Sequence, residues 1–327
     1  MADIAALYAR WAEFEARGSS AQYESWARAI AADGEACHMI DELPIGKRQP
    51  NLVFAAARHH SAPDEAVELL PWLRDNWPAV RTTVLERATQ TNEPARCATL
   101  LMALDRISGP IALLEVGASA GLCLIPDFYR YRFHTSDGVH TLEPLDSLDS
   151  PTIECALSSA APPTSLPDIV WRRGLDLNPI SLDDEEQRAW LETLIWPEHL
   201  GRRERLRAAM DVALRARPRV DEGDLLTRLA DTAHEAPSDA TLVITHSAVL
   251  AYLNDQQRAE AQRVMRATGA RIVSLEGVDV VPDITAALPP GFRTERRFVL
   301  ALDGEPLGLA APHGVTFEGL PLLSARP

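Results

Sequence analysis

Two textures of apolar spacing divide this chain. Over residues 1–107 apolar side chains recur three and four positions apart, the spacing of one face of a helix. Ala5–Ala16, Ala21–Cys37, Asn51–His59, Pro63–Asn76 and Pro78–Ala88 carry that pattern, with Trp11, Trp26, Trp72 and Trp77 on the packing faces. A further helix, Glu93–Ile107, is expected behind Asn92 as N-cap, and Ser108-Gly109-Pro110 stops it. From Ile111 short apolar runs alternate with amphipathic ones. The pattern predicts strands at Ile111–Val116, Ile169–Leu175, Arg219–Glu222, Thr241–Thr245 and Arg271–Leu275. Between them it predicts helices at Leu122–Phe133, Glu185–Pro197, Arg203–Ala216, Leu225–Glu235 and Asp255–Thr268.

Strands separated by helices imply a parallel sheet with right-handed crossovers. The later stretch R-R-F-V-L-A-L-D-G-E-P-L-G-L-A predicts an antiparallel hairpin turning at Asp303-Gly304. A proline- and serine-rich stretch between Phe133 and Ile169 is too long for an ordinary connection and holds two strand-like pieces, Val139–Leu142 and Thr152–Ala156. It reads as a hairpin inserted at about 134–167. The expected organisation is an all-α domain over 1–107 followed by an α/β domain over 108–327.

Composition narrows the function classes. Apolar residues make up 46% of 327 and charged residues 24%, the balance of a globular protein. No apolar run approaches the roughly 18–20 residues of a membrane-spanning helix. The start, M-A-D-I-A-A-L-Y, has no basic segment or cleavage site, so a cytoplasmic protein is expected. The 32 basic against 47 acidic residues leave a net charge of −15, which opposes a broad phosphate-binding footprint and so a nucleic-acid partner. Four separated cysteines and nine histidines show no metal-ligand spacing, so reduced thiols and no metal are expected.

The most informative segment is L-L-E-V-G-A-S-A-G-L at Leu113–Leu122, an apolar run ending in an acid with Gly117, Ser119 and Gly121 at alternate positions. A strand, a small-residue turn and a helix let the backbone approach a nucleotide-like ligand. With G-L-D-L-N-P-I, L-I-W-P-E-H, T-H-S-A-V-L-A-Y-L, Q-T-N-E-P-A-R and P-H-G, this block resembles the bacterial domain-of-unknown-function 2332 family, which brings no established reaction. Five β-α units closed by a hairpin also resemble class I S-adenosylmethionine-dependent methyltransferases. That resemblance implies a Rossmann-like sheet and S-adenosylmethionine as cofactor.

Carried onto this chain, the resemblance makes Glu115, Gly117, Ala118, Ser119 and Gly121 the cofactor turn. It makes Asp176 the acid for the ribose, although Asp176 lies well beyond the ~20-residue offset usual for that acid. Glu143 is the nearer rival. Asp224 in D-E-G-D-L-L would meet the adenine amino group, and also suits a plain N-cap. Thr245, His246 and Ser247 end the fourth strand, where carboxyl ends face the ligand crevice; His246, with an ordinary pKa near 6.5, is the candidate base. The helix ending just before the first strand runs antiparallel to it, so Asn92, Glu93 and Arg96 are expected beside the same pocket. His313, after the last antiparallel strand, is expected at the opposite edge; Trp171 is read as core and Trp196-Pro197-Glu198-His199 as a helix end.

The expected function is methyl transfer to an unidentified small molecule. Two alternatives stay open: a protein of the same fold that binds a ligand or serves as a scaffold without catalysis, and a nicotinamide-dependent oxidoreductase. A hydrolase is disfavoured, since G-x-S-x-G is missing and His246-Ser247 has no identifiable partner acid.

Overall fold

The computed structural model describes residues 3–145, 149–289 and 292–320; the first two residues, the short gaps and the stretch from 321 to 327 lie outside it. Its elements begin with helices α1 (Ile4–Trp11), α2 (Ala21–Ala32), α3 (Gly34–Asp41), α4 (Pro50–His59), α5 (Ala66–Glu86) and α6 (Arg96–Leu104). Strands β1 (Ile111–Val116), β2 (Arg130–Thr135), β3 (Gly138–Leu142), β4 (Thr152–Ser158) and β5 (Ile169–Asp176) follow. Next come α7 (Glu185–Thr193), α8 (Leu200–Ala216), β6 (Val220–Glu222), α9 (Leu225–His234), β7 (Thr241–Ser247) and α10 (Asp255–Ala267). The last are β8 (Arg271–Gly277), α11 (Pro282–Ala286), β9 (Phe298–Leu302), β10 (Glu305–Ala310) and β11 (Thr316–Gly319).

The chain divides into two compact units, Met1–Thr91 with Asp184–Glu204, and Asn92–Asp183 with Arg205–Pro327. The first is helical. Ser20 and Asp33 accept from the first-turn amides of α2 and α3, satisfying donors that a helix start leaves open. Its core is aromatic: Tyr8, Tyr23, Trp26 and Phe54 are fully buried, and Trp196 stacks beside Trp11 and Tyr23. Of W-P-E-H, Trp196 therefore packs against this core, while Glu198 is exposed. Pro71 and Pro78 lie inside α5, which is one helix where the sequence predicts two.

Among the described residues the second unit is built on an eleven-stranded sheet of order β3-β2-β4-β11-β10-β9-β8-β7-β1-β5-β6. All five predicted parallel strands form. Across β6-β5-β1-β7-β8 they stand third, second, first, fourth and fifth in chain order, so the winding reverses between β1 and β7. The predicted hairpin β9–β10 continues the sheet, with Asp303 (φ 53°) and Gly304 (φ 86°) both left-handed, as a primed turn requires.

The predicted helix Leu122–Phe133 does not form. Two 3₁₀ turns, Leu122–Leu124 and Pro126–Phe128, lead directly into β2. Pro126 has no amide hydrogen to continue a helix, and Tyr129, Tyr131 and Phe133 are buried at alternate positions, a strand period. The two strand-like pieces of the insertion form as β3 and β4 but do not pair as the expected hairpin: β2 stands between them, antiparallel to β3 and parallel to β4, and β11 pairs parallel with β4. The insertion therefore extends the main sheet.

One sheet face carries Leu114, Val116, Leu175 and Ile244, packed with Leu229, Met265 and Ile284 of α9, α10 and α11. The alternating residues Glu115 and Thr245 point to the other face, where α6 lies against β4, β8 and β9.

Candidate functional site

At the switch point Glu115 of β1 and Thr245 of β7 are register partners, and Ser247 lies two positions further along the same face. Glu115 Oε2, Thr245 Oγ1 and Ser247 Oγ are buried without a hydrogen-bond partner among the described residues. Such orphans are costly, and most buried polar groups avoid it. Burial pushes the Glu115 carboxyl well above the usual range; the Cys123 thiol and Asp176 add to the rise and Arg96 opposes it.

Asn92, Glu93 and Arg96 gather at this edge, as expected. Asn92 accepts from the Leu122 amide at 2.8 Å. Glu93 is held by the Ala95 amide at 3.1 Å and by Arg205 at 3.3 Å. Arg96, first in α6, donates from Nε to the Pro312 carbonyl at 3.0 Å and from Nη1 to the Ser247 carbonyl at 3.3 Å. His313 is therefore on this edge too, contrary to expectation. β10 is antiparallel to β9, which is itself antiparallel to β8, so β10 ends where the parallel strands end. Gly314 (φ 71°) seats the loop: a Cβ there would stand 2.2 Å from the Ala95 carbonyl oxygen.

The glycine turn closes on the protein itself. The Gly117 and Ala118 amides donate to the Leu175 carbonyl (2.8 and 3.4 Å), and the Gly121 amide to Ala118 (2.7 Å). Gly117 (φ 72°) lies under Val249, whose Cγ2 would stand 2.4 Å from an added Cβ. Ser119 is left-handed at φ 52°. Its amide donates to Asp176 Oδ2 and the Asn178 amide to Oδ1, both at 2.8 Å. Asp176 thus pins the turn to the end of β5. Beside Ala120 a cleft of about 340 Å³ opens between Ile180, Leu182, Pro218 and Val220.

Two sequence candidates stand elsewhere. Asp224 caps α9 by accepting from the Leu226 amide at 2.8 Å, with its side chain exposed. Glu143 follows β3, the strand at the sheet's far edge, and pairs with Arg130 at 2.6 Å.

His246 also departs from the expected position. Alternation along β7 turns it away from Glu115 and towards α10 and α11. Its Nδ1 lies 2.9 Å from Oε1 of Glu276, at the end of β8, and that oxygen also accepts from the Val249 and Leu250 amides, each at 3.1 Å. Glu276 is the partner acid that sequence reading missed. Its signal is S-L-E-G, an apolar run closed by an acid and a glycine, as in L-L-E-V-G.

Among the described residues, no group of three or more His, Cys, Asp or Glu side chains is placed to hold a metal ion. No described helix is long and apolar enough to cross a membrane. No curated protein and no solved structure matches the chain. Residues 5–318 match the family described as an uncharacterized protein conserved in bacteria, DUF2332, and the chain belongs to that family.

Proposed function

We propose that this protein binds S-adenosylmethionine at the carboxyl ends of β1 and β7 and serves transfer of its methyl group to a small molecule. One observation carries the reading: the orphaned oxygens of Glu115, Thr245 and Ser247 at the point where the winding reverses, the place where open α/β sheets take ligands. They suit an ammonium or hydroxyl donor, and the Arg96 guanidinium beside them suits a carboxylate. An amino-acid end brings both. The cleft beside Ala120, where Ile180, Leu182 and Val220 stand among Ser181, Asp183 and Arg217, suits a nucleobase with its polar edge.

In this reading Glu115, Thr245 and Ser247 hold the amino group and Arg96 the carboxylate. Asp176 sets the shape of the turn, and its Ser119 and Asn178 bonds leave a ribose only its remaining lone pairs. The bound cofactor supplies a methyl group on a sulfonium, whose transfer depends on alignment and exclusion of water more than on a strong base. A second reading, binding without transfer, is favoured by one observation: the candidate base His246 faces away from the Glu115 side and is tied to Glu276.

Calorimetric titration with S-adenosylmethionine and S-adenosylhomocysteine tests the proposal. Saturable binding of both is expected, weakened in Glu115→Gln by about 1.5–3 kcal/mol, the usual cost of losing a hydrogen bond to a charged group. No binding, or equal binding by folded Glu115→Gln, overturns it. Methyl release in the presence of small-molecule acceptors separates transfer from binding alone.

A further inference from the structure

The sheet face opposite Glu115 holds a second cavity, of about 370 Å³, between α10, α11 and β8. Met265, Ile272, Val281 and Ile284 give it apolar walls, Gln262, Arg266, Arg271, Asp283 and Asp303 contribute polar and charged lining, and His246 and Ser274 are its two buried polar residues. These two are register partners on β7 and β8, so they point the same way, and they are only 2% and 3% exposed. Nothing in the proposed methyl-transfer site uses them.

Their chemistry is specific. Oε1 of Glu276 already accepts two backbone amides, so it acts as an acceptor towards His246 and holds the ring proton on Nδ1. On the neutral ring Nε2 is then an acceptor on a residue lining the cavity. Ser274 Oγ is buried and has no hydrogen-bond partner among the described residues. An acceptor and a neighbouring hydroxyl are both satisfied by a single ligand oxygen that donates to one and accepts from the other. A hydroxyl group does this; an ether oxygen has no hydrogen to donate, and a carboxylate would add a charge beside Glu276. The volume lies within the range of small-molecule pockets, and the walls suit a ring or short aliphatic body.

We infer that the cavity between α10, α11 and β8 is a binding site for a phenol or alcohol, its hydroxyl held by His246 and Ser274 and its body by the apolar walls. Glu276 acts as a positioning residue by fixing the tautomer of His246.

Titration of the full chain with 4-nitrophenol, followed by calorimetry and by its absorbance, tests this. Saturable one-to-one binding is expected, at least tenfold tighter than that of 4-nitroanisole, which has the same ring and no donor. Ser274→Ala should weaken it about tenfold, and Ala270→Trp, which fills the cavity from its lining, should abolish it. Glu115→Gln should leave it unchanged and S-adenosylmethionine should not displace it, so the result stands apart from the fate of the methyl-transfer reading. Absence of saturable binding, equal affinity for the anisole, or indifference to Ser274→Ala and Ala270→Trp in folded protein overturns the inference.

Discussion

The Ser119 amide donates to Asp176 Oδ2 at 2.8 Å, joining the glycine turn after β1 to the end of β5. A carboxylate at the end of the second parallel strand here holds a left-handed serine in place, because the other Asp176 oxygen is taken by the Asn178 amide. Removing it leaves the buried Ser119 without that acceptor. Asp176→Ala is expected to cost about 2 kcal/mol, and Asp176→Asn about half as much, since an amide oxygen still accepts. Urea unfolding midpoints at constant m-value measure both. Equal stability of the alanine variant and the parent would show that the bond contributes nothing.

Glu115 should make stability fall as pH rises. Its carboxyl is raised in the folded state, first by burial, so the native chain holds a proton that the unfolded chain releases. The stability associated with neutral Glu115 is complete below the ordinary carboxylate range and is lost as pH climbs towards the raised value. Glu115→Gln cannot lose it. From about pH 5 to about pH 8 the variant's melting temperature should therefore drop less than the parent's. Parallel curves contradict this.

Gly117 meets two separate demands, a left-handed backbone and contact with Val249. Gly117→Ala should add roughly 1 kcal/mol of backbone strain and about 1–3 kcal/mol of overpacking. In the double variant with Val249→Gly, which removes both Cγ2 and the Cβ that crowd the added methyl, only the overpacking is relieved, so the two changes should couple favourably by at least ~1 kcal/mol. Strict additivity of the unfolding free energies would rule out the contact as the cause.

The five parallel strands were legible because buried β runs such as Leu242–Ile244 are short, branched and followed by polar residues. Leu122–Phe133 was misread since Leu122, Ile125 and Tyr129 also fit a helical face. Only Pro126 and the alternation of Tyr129, Tyr131 and Phe133 betray the strand. The gathering of Asn92, Glu93 and Arg96 followed from one short link, whereas His313 required counting two reversals of direction. His246 escaped because a residue at a strand end faces one side or the other by parity, and one position separates Glu115's side from Glu276's. Long-range partnerships such as His246 with Glu276 have no local signature.

Inserting β11 between β10 and β4 fixes an order of events during synthesis. β4 leaves the ribosome some 150 residues before the strand that covers its flank, whereas β10 precedes that strand by only a short turn. For that interval the open border of β4 can recruit other nascent chains, the hazard that unpaired strands carry. A version ending at residue 315 should consequently accumulate as aggregates, with soluble yield rescued when the segment carrying β11 is restored.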